Sequence, residues 1–297
     1  MADLDVTRPV TLEARKARRP IVGYFTLSAV LSTTVAAMLA VIFVWPFLCM
    51  VGQSFNRLDV LMNTLWLIPR KFSTKLYELM VTRYRFHEYI WNSALVAFTS
   101  TLLNAFASAL AGYALAKCEF PGRDLLFLMI LAIMLLPSQT MLVPRFVVMQ
   151  DLKLVNNYWG LILPSVGGGA FGIFLMRQFM LQVPTEMLEA ARIDGASELG
   201  LFTRVVVPTM LGPIMVLATL SLRGGWNALL WPQILITDET KMLLMPAIAR
   251  LNNLTVADPY AGHVVVAAAI TAAVVPLSLY AYGQRYFIAA LAGAIKG

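Results

Sequence analysis

"EMLEAARIDGASELGLFTRVVVPTMLGPI", Glu186 to Ile214, decides the fold, because it breaks the apolar character of everything around it. Glu186, Glu189, Arg192, Asp194, Glu198 and Arg204 crowd a short alanine-bearing stretch between two hydrocarbon-like runs. Thr185 is a candidate helix N-cap, Glu186 and Glu189 favour the positive end of that helix, and Gly195 suits the left-handed residue that stops it. Ser197 is positioned to cap a second helix that runs into Val207 and meets Pro208. The stretch therefore predicts helix, sharp turn, helix. A connecting loop needs only polarity. This one carries Met187, Leu188, Ala190, Ala191 and Ile193 on a mixed apolar face, which predicts docking against another protein.

The flanks of this elbow set the fold class. The 297 residues are 59% hydrophobic and 13% charged, with mean hydropathy +0.74, whereas soluble domains carry roughly a quarter charged residues. Six windows are nearly or wholly uncharged: Ile21 to Met50, Trp91 to Ala116, Leu125 to Pro144, Tyr158 to Met176, Val205 to Leu222 and Val264 to Gln284. Each approaches or exceeds the roughly 20 residues that carry a helix across about 30 Å of hydrocarbon. The expectation is an all-α integral membrane protein with six transmembrane helices. A barrel would need alternating apolar and polar strands, and these runs are apolar on all sides. The first window is too long for a signal-peptide core of roughly 7–15 residues and reads as a retained anchor.

Arg8, Arg15, Lys16, Arg18 and Arg19 precede the first window and argue for a cytoplasmic N-terminus, hence a cytoplasmic C-terminus. This topology sets Arg145 in an outer connection and leaves Arg223 as the charge inside a span. An intramembrane arginine faces protein or water rather than lipid, either as a structural partner of a carbonyl or carboxylate or as a path residue beside Asn227. The net charge of +7 suits anionic lipid, and no aromatic-basic surface for nucleic acid is visible. Cys49 and Cys118 fall on opposite sides of the membrane, which argues against a disulfide. His87 and His263 read as isolated interfacial residues.

Within the 51–90 segment, "FSTKLYELMVTRYRFHEYI" mixes charged and apolar residues at helical spacing, as a helix lying on the membrane surface does. The second window places Ala105, Ala109, Gly112 and Ala116 at intervals of four, three and four residues, a stripe for close helix packing. Gly167 to Gly169 lie in an apolar run and read as flexibility or close packing. No Gly-Lys dipeptide occurs, so the chain has no Walker A loop, and neither metal-ligand spacing nor a Gly-x-Ser-x-Gly elbow is present.

Glu189-Ala190-Ala191, Asp194-Gly195 and Val206-Val207-Pro208 resemble the "EAA…G…I-LP" signature of transmembrane permease subunits of ATP-binding-cassette (ABC) importers, with Val-Val-Pro replacing the usual ending. "YALAKCEFPGRDLLF" from Tyr113, "LLPSQTMLVP" from Leu135 and "WNALLWP" from Trp226 are similar to the carbohydrate branch, of the maltose-transporter small-permease type. The resemblance runs from about Trp91 to the end of the chain. It implies a type I importer permease fold whose 184–208 loop is a coupling helix seated on an ATPase subunit through Glu186, Glu189, Ala190, Ala191, Asp194 and Gly195. It implies that the tail, Ala292, Gly293, Ala294, Ile295, Lys296 and Gly297, reaches the ATPase interface. Arg223, Asn227, Trp226 and Trp231 become candidate path residues. Arg250, Leu251, Asn252, Asn253 and Leu254, in the long 237–263 loop, become candidate contacts for an external solute-binding protein.

The implied organisation is a basic cytoplasmic tail (1–20), a first span with an external segment (21–90), a five-span core (91–290) and a cytoplasmic tail (291–297). The implied partners are a second permease subunit in a heterodimer, two ATPase subunits carrying ATP and Mg, an external or periplasmic binding protein, and membrane lipid, in a bacterial inner membrane. No cofactor belongs to this chain. The implied cargo is an oligosaccharide, with acidic oligosaccharides and glycerol-phosphate compounds as alternatives. An ion-coupled secondary transporter or channel is the rival of a different class. It would place coupling carboxylates in spans, and none of the six windows holds Asp or Glu.

Overall fold

A computed structural model describes residues 27–57, 67–69, 71–167 and 169–295, with side chains left undescribed at 27, 28, 256 and 285–295. The described residues form helices α1 (Leu27–Ser54), α2 (Lys75–Thr82), α3 (Phe86–Lys117), α4 (Arg123–Met134), α5 (Leu142–Asp151), α6 (Trp159–Val166) and α7 (Ala170–Met180). They continue as α8 (Thr185–Ile193), α9 (Glu198–Leu201), α10 (Val207–Thr209), α11 (Leu211–Trp226), α12 (Leu230–Leu235), α13 (Leu244–Asn253) and α14 (Ala261–Ile295). The chain divides into two compact units, 1–47 and 48–297. The first contributes most of one apolar helix, on which Leu31, Met38 and Phe43 are exposed. The basic leader 1–20 lies outside the described residues.

In the second unit α3 is the central post, packed against α6, α7 and α11. The small-residue stripe does what its spacing predicts: Ala105, Ala109 and Gly112 are buried, and α7 approaches so closely that a Cβ on Gly112 would sit 2.7 Å from Met176 Cβ and 2.9 Å from the Arg177 backbone nitrogen. Close packing of this kind replaces hydrophobic driving force between helices in lipid. Trp226 is buried between α11 and α14, and its indole N–H donates to the Ala272 carbonyl at 3.0 Å.

Among the described residues four helical stretches are long and apolar enough to cross a membrane, and two bent pairs bring the total to six. The third and fifth windows are therefore not straight spans. The third bends by 99° between α4 and the segment from Ser138, at Pro137, which cannot continue the helix. The fifth bends by 80° ahead of Leu211, where α11 starts. Phe202–Val206 widens to a π-turn just before Pro208, which has no N–H to give the preceding turn. The fourth window is interrupted at its glycine run, where Gly169 adopts φ +51° between α6 and α7.

The segment expected to lie on the membrane surface instead turns its apolar side into the protein. Leu76 and Met80 of α2 are buried with Phe86, Leu244, Leu251, Ala261 and Val264. The 237–263 loop is likewise folded, around α13. Asn92 donates to the carbonyls of Thr240 and Met242 at 3.0 Å each, and Ser93 Oγ accepts from Leu244 N at 2.7 Å. Those bonds pin the loop to the N-terminal end of α3. At the other terminus, α14 runs unbroken through Ile295, so Ala292 to Ile295 have helical backbone, while Lys296 and Gly297 lie outside the described residues.

Candidate functional site

Two constructions stand out, one at each level of α3. At its C-terminal end is the charged elbow. The turn is as expected: Gly195 takes φ +83°, its N–H bonds to Arg192 O at 3.0 Å, and Ser197 Oγ accepts from Gly200 N at 3.2 Å. The start differs. Pro184 occupies the cap position in extended backbone (φ −58°, ψ 132°), leaving Thr185 inside the helix with no capping bond. Just ahead of it the Lys117 ammonium donates to the Val183 carbonyl at 2.6 Å, which ties this end of the elbow to α3.

The elbow's apolar residues also divide differently. Leu188 is buried among Met180, Phe202, Val206 and Leu217, and Met187 packs beside it, so both belong to the protein's own core. Ile193 and Leu199 stand out at 86% and 66% exposure, with Glu186, Glu189, Ala190, Asp194 and Gly195 exposed around them and Ala191 half-buried. Glu198 closes the elbow: one carboxylate oxygen accepts from Arg192 Nε at 3.0 Å, the other from the Tyr113 hydroxyl of α3 at 2.9 Å. The Arg192 guanidinium is held charged by that bond, its pKa raised by Glu198. The result is a rigid handle, bolted inward by Leu188 and Tyr113 and presenting two bare aliphatic side chains ringed by carboxylates.

Further along α3 is an open cavity of about 350 Å³ lined by α3, α5, α6, α11 and α12. Its polar lining is Ser100, Thr101, Asn104, Arg145, Ser165 and Ser221, together with Trp231. The Asn104 amide is satisfied on both sides, donating to Ser221 Oγ at 2.6 Å and accepting from Ser108 Oγ at 3.3 Å. Thr101 is 8% exposed, and its Oγ1 has no hydrogen-bond partner. Trp231 is fixed by its indole N–H to Gly160 O at 3.3 Å, and the Arg145 guanidinium lies over its ring at 4.2 Å from the centroid.

Arg145 was the residue that one-dimensional reading placed in an outer connection; α5 carries it against this cavity instead. Among the described residues it meets no carboxylate. Its guanidinium is half-buried and the cation–π contact returns only about 0.5–2 kcal/mol, so water or an oxyanion is needed to satisfy its N–H donors. The signal was in the sequence: an arginine framed by Leu142-Val143-Pro144 and Phe146-Val147-Val148.

Of the other candidates, Trp231 lines the cavity and Trp226 is a structural residue under α14. Arg223 is exposed in the last turn of α11 and is not among the lining residues, although Ser221, Gly224 and Gly225 are; Asn227 turns back to bond Arg223 O at 3.0 Å. Near the N-terminal end of α3, Arg250 pairs with Glu239, Leu251 is buried in the core, and Asn252, Asn253 and Leu254 are exposed. Leu251 is therefore withdrawn from any contact surface, because α13 spends that position on packing.

Residues 106–291 match the family of binding-protein-dependent transport system inner membrane components. The chain is 32% identical to the arabinooligosaccharides transport system permease protein AraQ of Halalkalibacterium halodurans, over 88% of this chain and 94% of that one. It is 34% identical to the sn-glycerol-3-phosphate transport system permease protein UgpE of Yersinia enterocolitica, over 70% of this chain and 73% of that one. Its fold matches a chain of a bacterial ABC transporter involved in the import of the acidic polysaccharide alginate, with TM-score 0.78 at 20% identity, covering 89% and 99% of the two chains. The bent and broken helices around α3 thus share that fold, and the chain belongs to the binding-protein-dependent inner membrane components, the multi-pass permease subunits of ABC importers.

Proposed function

We propose that this chain is one half of a heterodimeric saccharide path, moved by two cytoplasmic ATPase subunits through the Glu186–Gly195 elbow. ATP and Mg bind on those partners and no cofactor on this chain; an external solute-binding protein delivers the cargo. Both termini lie in the cytoplasm, and the tail from Ala292 to Gly297 reaches the ATPases. Asn252, Asn253 and Leu254 face the binding protein, and Arg223 lies along the path between the two permeases. The named cargo of the first relative makes an oligosaccharide the default substrate.

The observation that carries this reading is the elbow's construction. A handle must be stiff where it joins the machine and sticky where it is gripped. Leu188, Tyr113 and Lys117 supply the first property, and exposed Ile193 and Leu199 among carboxylates supply the second. Coupling of this kind is a bistable element biased from both of its ends. The test is Ile193→Asp, chosen because 86% exposure leaves folding untouched. The variant should insert and pair with its partner permease, yet lose co-purification with the ATPase and substrate-stimulated hydrolysis. Normal hydrolysis and transport by Ile193→Asp would refute the coupling role.

A further inference from the structure

We propose that the cavity between α3, α5, α11 and α12 is a substrate subsite for an anionic sugar, whose oxyanion is received by the Arg145 guanidinium and whose hydroxyl is received by Thr101. The inference rests on the importer reading above and adds to it the charge of the cargo and the residues that recognise it.

Three observations converge. The first is charge without counter-charge: the cavity lining holds one arginine and no Asp or Glu. A structural arginine in apolar surroundings is met by a carboxylate or by carbonyls, and Arg145 meets neither among the described residues. The second is preorganisation. The indole of Trp231 is itself held by its bond to Gly160 O, and the guanidinium carbon lies over the ring at 4.2 Å from its centroid, which places the charge at the cavity wall before any ligand arrives. A guanidinium offers the paired donors that bidentate capture of a carboxylate or phosphate requires. The third is independent of charge. Thr101 Oγ1 is a buried hydroxyl with no partner in a wall whose amide, Asn104, is satisfied on both sides. Native interiors leave few such groups, and each calls for an explanation. The Oγ1 atom is covered in this structure, so its engagement of a ligand requires a rotation about the Thr101 Cα–Cβ bond. A volume of about 350 Å³ accommodates one sugar residue, so the site reads one unit of a chain at a time.

A carboxylate on a sugar ring and a phosphate on a polyol share the required chemistry, and the experiment separates them. The assembled importer, with partner permease and ATPases, is titrated in detergent with digalacturonate, with glycerol 3-phosphate and with the neutral digalactoside, following tryptophan fluorescence. Saturable quenching is expected with at least one acidic probe, at an affinity at least tenfold above that for the digalactoside, and Trp231→Phe should remove most of the signal. Response to digalacturonate alone assigns a sugar acid; response to glycerol 3-phosphate alone assigns a phosphate. Arg145→Leu should weaken the acidic probe tenfold or more, Arg145→Lys by less, and neither should alter the response to the neutral probe. Thr101→Val should weaken binding about threefold with assembly unchanged, a loss that a merely structural hydroxyl does not produce. The proposal is overturned if the neutral probe binds as tightly as the acidic ones, if no probe binds the assembled importer, or if Arg145→Leu and Thr101→Val bind as wild type. Failure of the ATPase to co-purify with the wild-type chain would instead overturn the importer reading.

Discussion

Gly195 is the residue on which the elbow's geometry turns, and its replacement has a calculable cost. Its φ of +83° lies in the left-handed region, and a Cβ built there meets nothing within 4 Å. All of the penalty for Gly195→Ala is therefore backbone strain, about 1–2 kcal/mol. The chain has one escape, which is to unwind the end of α8. That route gives up the bonds from Gly195 N to Arg192 O and from Ala196 N to Ala191 O, of 3.0 and 3.1 Å. At about 0.5–1.5 kcal/mol per bond the escape costs as much as the strain. Either way the balance between the competent and the unwound elbow should shift by a factor of roughly 5–30 towards the unwound form. Gly195→Asn should suffer less, because asparagine tolerates this region, and Gly195→Val more, because a β-branched residue there is an outlier. The assay is substrate-stimulated ATP hydrolysis in vesicles containing the full importer, normalised to the amount of assembled complex. The ranking Gly, Asn, Ala, Val is the expected result. Normal coupling in both the Ala and Val proteins would show that the turn does not transmit motion.

The loop between α13 and α14 carries a pH prediction. Asp258 accepts from the Tyr84 hydroxyl at 2.6 Å and from Arg83 at 2.8 Å; the Tyr84 bond first, with Arg83 and the Tyr260 N–H, holds its carboxyl below the usual range, while burial and Asp258 push Tyr84 up to about 12. Asp258 therefore stabilises the fold above its unfolded pKa and ceases to as pH falls through the lower folded value. Tyr84 keeps its proton in the folded state between pH 10.0 and about 12, so stability declines across that window. Asp258→Asn should flatten the acid limb of a thermal-stability profile, and an unchanged acid limb would remove the carboxylate from this role. Asn252→Ala with Asn253→Ala should lower delivery by the binding protein without loss of assembly, whereas Leu251→Ala should cost about 2–5 kcal/mol of stability; equal effects on both readouts would argue against a contact surface. Reporter fusions after Lys153 and Asp238 should report the outside and a fusion after Asp194 the inside, and the reverse pattern would invert the topology. Arg223→Gln, assayed in vesicles, should slow transport with assembly retained if this residue borders the path, and normal transport would set it aside as structural.

Local chemistry was legible wherever it depends on a few neighbouring residues. Composition alone demanded helices in hydrocarbon, since a backbone in lipid must satisfy its own hydrogen bonds. Gly195 in its left-handed turn, Ser197 at its cap and the small stripe from Ala105 to Gly112 were all readable, because backbone permissiveness and side-chain size act over one or two turns. Pro137 and Pro208 were visible too, yet an apolar window carries no sign of whether its proline tilts a straight span or bends it by 99° or 80°. That choice belongs to the helices packed alongside. The same reason hid the division of the elbow's apolar face: Leu188 and Ile193 are equally aliphatic, and only the position of α3 and α7 buries one at 1% and leaves the other at 86%. It also hid Arg145. Two residues past Val143, a charge reads as the end of a span, and it becomes part of a cavity lining only when α12 brings Trp231, 86 positions away in sequence, to within 4.2 Å of it. In a membrane protein lipid and protein interior are equally apolar, so hydropathy marks what leaves water, while contacts between distant segments decide what each side chain then faces.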